Sequence, residues 1–72
     1  MLHNRIAQQR RNHGLSQLQL ARDLKISPSA MGLYEQGRRT PDLQTLTAMS
    51  RLFRVSLDYL ITGEEFHPPE TA

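Results

Sequence analysis

Apolar residues along this chain return at every third or fourth position in short clusters, and nowhere do they alternate with polar residues over a useful length. The pattern predicts five short helices and no strand. Leu2 and Ile6 mark a first helix from about Leu2 to Asn12, with Gly14 as its stop. In "SQLQLARDL", Ser16 and Gln19 have the spacing of a capping box and Leu15 and Leu20 that of a hydrophobic staple, with Leu20, Ala21 and Leu24 on the buried face. Ser27 caps a third helix whose first position is Pro28, where the missing N–H and fixed φ cost nothing, and Ile26 with Met31 repeats the staple. Asp42 caps a fourth, in which Leu43, Leu46, Met49, Leu52 and Phe53 recur at helical spacing. Ser56 caps the fifth, with Val55 and Leu60 as staple, Leu57 and Ile61 four apart, and Gly63 at its end. "EEFHPPETA", residues 64–72, is acidic and almost without apolar side chains, which predicts a disordered tail behind one domain over residues 1–63.

At 72 residues a single core is marginally sufficient, so disulfides, metal or oligomerisation usually help. Cysteine is absent, which removes disulfides and thiolate metal sites. His3, His13 and His67 lack metal-ligand spacing and have no cysteine to join them, so no metal is expected. Oligomerisation is left as the supported staple. No run approaches about 18 apolar residues, and "MLHNRIAQQRR" lacks the apolar stretch of a signal peptide, so a soluble cytoplasmic chain without a membrane partner is expected. Serines 16, 27 and 56 each sit at an N-cap, the four glycines form no phosphate loop, and neither catalysis nor a cofactor is predicted.

Charge divides the chain. Residues 1–57 carry all nine cations against Asp23, Glu35 and Asp42, a net of +6, whereas residues 58–72 carry Asp58, Glu64, Glu65 and Glu70, a net of −4. Eight of those cations are arginine, whose planar fork suits phosphates and base edges better than a lysine point charge does.

Two helices joined by the three-residue turn "KIS" are the elements of a helix-turn-helix. Together, "RIAQQRRNHGLSQLQLARDLKIS", "YEQGRRTPDLQTL" and "FRVSLDYLITG" cover nearly everything from Arg5 to Gly63. In these stretches the chain resembles the Cro and phage-repressor type, or XRE-like, helix-turn-helix family. The resemblance implies an all-α, compact five-helix domain that binds double-stranded DNA as a homodimer on a palindromic operator, as a repressor or autoregulator. It further implies that Gln17 anchors the sugar-phosphate backbone, that Ser27, Pro28, Ser29, Gly32 and Leu33 face the major groove with Gln36 at its edge, and that Gln36, Arg38 and Arg39 touch phosphates at the helix exit. Arg10 and Glu35 match a pair that joins the first and third helices in phage repressors. Lys25 and Arg54 stand where the family often has glycine or asparagine in a left-handed conformation, which costs on the order of 1 kcal/mol for other residues. Leu18 stands where a polar residue is commoner.

Helical geometry agrees: residues 28, 29, 32, 33 and 36 share one face, and Met31, Tyr34 and Glu35 another. Gly32 inside a helix costs about 1 kcal/mol relative to alanine, which calls for a packing or contact reason. Leu57 and Ile61 form a strip beside Leu60 that one small domain covers poorly, and are the expected dimer contact. The alternative is an antitoxin-like protein-interaction module with secondary DNA binding, for which Phe66 is the one aromatic anchor in the last nine residues. With no ligand domain after Gly63, no small-molecule effector is expected.

Overall fold

Four side-chain oxygens start four of the five helices in the computed structural model, which describes residues 1–65. Residues 66–72 lie outside the described residues, and with them Phe66, His67 and most of the acidic tail. The helices are α1 (Leu2–Asn12), α2 (Gln17–Leu24), α3 (Pro28–Glu35), α4 (Leu43–Phe53) and α5 (Leu57–Thr62), and no strand occurs among the described residues. Ser16, Ser27 and Ser56 each accept from the backbone N–H three residues on at 2.9–3.0 Å, and Asp42 accepts from Thr45 N–H at 2.8 Å. Gln19 returns the bond to Ser16 N–H at 2.8 Å, which completes the capping box. The Thr45 side chain and N–H both hydrogen-bond the Asp42 carboxylate and hold it below the ordinary value of 3.8. That cap therefore contributes stability above the ordinary value and loses it as pH falls through the lowered one.

Each cap also sets a core residue. Four positions after the four caps stand Leu20, Met31, Leu46 and Leu60, all buried, and before the caps stand Leu15, Ile26, Pro41 and Val55, all partly or fully buried. Pro41 completes with Leu46 the same staple that the other three helices use, a pairing that the sequence reading did not assign. Ile6, Ala21, Tyr34, Met49 and Phe53 fill the space between. Leu43 departs from the expected α4 stripe: as the first residue after the cap it stays 68% exposed.

All five helices end in a left-handed residue. Gly14, Gly37 and Gly63 do so without strain, but Lys25 (φ 59°) and Arg54 (φ 58°) carry a Cβ there. The hydrogen bonds explain why the conformation is kept. Ile26 N–H reaches Ala21 O at 2.9 Å, and Val55 N–H reaches Ser50 O at 3.0 Å, each closing a Schellman turn over the last carbonyls. A cation at a helix C-terminus offsets part of the strain, by about 0.3–1 kcal/mol at low ionic strength.

Arg5 closes the domain from the other side. Its Nε donates to Leu60 O at 2.9 Å and its Nη2 to Ile61 O at 2.6 Å, so α1 caps the carbonyl end of α5. A Cβ on Gly63 would stand 2.8 Å from Arg5 Nη1.

Arg54→Gly should raise the melting temperature, since it removes about 1 kcal/mol of backbone strain, and about 1 kcal/mol moves a domain of this size by roughly 4–8 °C. Thermal melts at low and high salt check it. The gain should be larger at high salt, where the helix-end attraction of the wild-type arginine is screened.

Candidate nucleic-acid interface

The turn between α2 and α3 occupies three residues with three separate duties. Lys25 turns the chain left-handed, Ile26 drops a half-buried side chain onto the core, and Ser27 caps α3. With both ends held, α3 packs on α2 and on α1. Met31 and Tyr34 are buried beneath it, while Ser27, Pro28, Ser29 and Gln36 are exposed and Gly32 and Leu33 are half-buried. A Cβ built on Gly32 would meet nothing but Gln36 Nε2, at 3.9 Å. Nothing inside the domain therefore requires glycine at this position, although the helix loses stability by having it.

Behind this face lies a buried ion pair. Arg10 Nε donates to Glu35 Oε2 at 2.7 Å and Arg10 Nη2 to Glu35 Oε1 at 3.1 Å, with the two side chains 12% and 5% exposed. Arg10 Nη1 also donates to Leu15 O at 2.9 Å, so one guanidinium holds the end of α3 and the loop that enters α2. Gln17, at the first turn of α2, donates its Nε2 to Glu35 Oε1 at 3.0 Å. Gln17 and Glu35, expected in separate roles, are joined by this bond. Glu35 thus fixes the exposed carboxamide while its own charge is satisfied by Arg10.

At the exit of α3 the chain reverses on Gly37 (φ 74°), where Arg38 N–H bonds Leu33 O at 3.0 Å. The His3 ring lies against this glycine, and an added Cβ would stand 2.9–3.1 Å from three of its atoms. Glycine is needed there both for the backbone angle and for the ring. Arg38 and Arg39 follow, both exposed, and among the described residues the only ion pair is Arg10–Glu35. The structure thus brings Gln17, Glu35 and Gln36 around one groove, with Arg38 and Arg39 beyond it.

The remaining candidates lie elsewhere. Leu57 is half-buried against the core and Ile61 is 41% exposed on α5. Leu18 is 53% exposed on α2. His13 tilts against Phe53 with ring centroids 5.5 Å apart, and its Nδ1 lies 3.0 Å from Gln9 O. Among the described residues no three His, Cys, Asp or Glu side chains are grouped to hold a metal, and no helix is long and apolar enough to cross a membrane.

A short helix laid on a second through a three-residue turn, its outer face bare and its flanks polar, defines a helix-turn-helix domain. The profile of the helix-turn-helix family matches residues 6–60, and the chain belongs to that family. It is 40% identical over 88% of its length to YonR, an SPbeta prophage-derived HTH-type transcriptional regulator of Bacillus subtilis (strain 168), covering 58% of that protein. To the HTH-type transcriptional activator BcrR of Enterococcus faecalis it is 36% identical over 85% of its length, covering 30% of that protein. The chain thus spans less than two thirds of these relatives. The fold is similar to that of the P22 c2 repressor protein in complex with a synthetic operator, at a TM-score of 0.83 and 26% identity, over 89% of this chain and 97% of that one.

Two substitutions test the architecture. Glu35→Ala strands Arg10 in a mostly buried position and should cost about 3 kcal/mol, read as a lowered urea midpoint. Gly32→Ala should stabilise the free domain by up to about 1 kcal/mol, because the methyl enters open space and helix propensity improves; an unchanged or lowered midpoint would show a hidden packing role.

Proposed function

We propose that this chain is a sequence-specific, DNA-binding transcriptional regulator that occupies a palindromic operator as a homodimer in the cytoplasm and acts as a repressor or autoregulator. One observation carries the reading: beside the sparse outer face of α3 stand a carboxamide already oriented by Glu35 and, past the exit of the helix, two consecutive exposed arginines. Phosphate contacts position a protein on a duplex and base edges specify the site, and this layout supplies both in order. Support also comes from the P22 c2 repressor, whose similar fold was determined on an operator. The exposed Ile61 beside Leu57 on α5 supports the dimer, with two recognition helices spaced about 34 Å apart to enter successive major grooves. No cofactor enters this reading, and no catalytic step.

The face itself is chemically sparse. Ser29 can bond a base edge, Leu33 can meet a thymine methyl, and Gln36 reaches in from the rim. With little direct readout, affinity rests on phosphate contacts and on DNA shape, and falls steeply with salt. Gly32 lets the backbone of α3 approach the bases.

Selection of bound duplexes from a random pool should return two half-sites separated by about one helical turn. On the selected duplex, Arg38→Ala or Arg39→Ala should weaken binding to all sequences alike and flatten the salt slope by about one unit, whereas Ser29 or Leu33 changes should alter the preferred site. Gly32→Ala should weaken binding although it does not destabilise the fold. If Gly32→Arg and Leu33→Ala both left site preference untouched while binding persisted, α3 would not be the reader.

A further inference from the structure

We infer that α1 forms a second backbone-phosphate site, in which Arg11, Gln8 and Asn4 grip the DNA strand that Gln17 anchors; this rests on the DNA-binding reading above. Asn4, Gln8 and Arg11 follow one another at intervals of four and three, so they share one face of α1. All three are exposed, and together they line one groove with Gln17, Glu35 and Gln36. Two walls of that groove are therefore residues already placed beside DNA, and the third wall is α1.

The chemistry of the groove suits a phosphodiester. Four carboxamides supply N–H donors, and Arg11 supplies a charge that no carboxylate neutralises among the described residues. The single acid, Glu35, is 5% exposed at its side chain and satisfied by Arg10 and Gln17, so it presents little negative charge to an incoming phosphate. A protein or apolar peptide would find few apolar groups there. An anionic backbone running past Gln17 would meet a planar arginine fork that binds phosphate oxygens in bidentate fashion.

Fluorescence anisotropy with a labelled duplex tests the site, using wild type, Arg11→Ala and, as a control of equal charge change, Arg51→Ala from the exposed side of α4. From about 50 to about 200 mM salt, Arg11→Ala should lose about threefold less affinity than wild type, a slope shallower by about one unit, on selected and random duplexes alike. Arg51→Ala should run parallel to wild type. An Arg11→Ala slope parallel to wild type would overturn the inference, and so would an equal flattening by Arg51→Ala, which would reduce Arg11 to net charge. Amide spectra of the wild-type protein give an independent reading: the carboxamide signals of Asn4 and Gln8 should shift on adding duplex while that of Gln44 stays, and stationary Asn4 and Gln8 signals would overturn the site. A wild-type protein that binds no duplex would remove the DNA-binding reading itself, an outcome separate from any of these.

Discussion

Arg10 holds Glu35 and Leu15 O at once, and the presentation of α3 depends on that grip. Taken out of water, a guanidinium and a carboxylate each become costly unless they find one another. Here the pairing is bidentate, and the spare arginine donor is used on the loop before α2. The spacing of α1, α2 and α3 is therefore set by directional bonds rather than by apolar packing alone, which tolerates repacking. The same carboxylate then aims Gln17. A single buried charge pair thus sets both the seat of α3 and the direction of the Gln17 side chain.

Much of this was legible in the linear order of residues because caps and staples are local. Ser16, Ser27, Asp42 and Ser56 declare helix starts, and the residue four beyond each one lands in the core, so element boundaries and core anchors come from the same short patterns. Pro41 escaped notice although it stands at the same offset from Asp42 as Leu15 does from Ser16; proline is read first as a breaker and only second as an apolar surface. Leu43 misled in the opposite direction, since helical spacing does not say that the first residue after a cap still faces outward.

Apart from the Arg10–Glu35 pair, which came through resemblance, contacts between distant parts of the chain were not legible. Arg5 on Leu60 O spans 55 residues, and no local pattern distinguishes an arginine that caps a helix from one that faces solvent. The His3 ring against Gly37 and the Gln17–Glu35 bond are of the same kind: ordinary residues whose role is created by the packing of α1 and α2 on α3. The left-handed Lys25 and Arg54 were visible only through resemblance, because nothing in their own chemistry favours that conformation. What holds them is the pair of hydrogen bonds that each turn closes.

Arg5 also changes how the domain comes apart. A six-residue helix such as α5 is too short to persist alone in water, and chain ends ordinarily fray before the interior opens. Here the last carbonyls of α5 are bonded to a side chain of the first helix, so neither end can loosen without releasing the other. Opening of α1 and opening of α5 are therefore coupled, since the loss of either breaks the Arg5 bonds that join them.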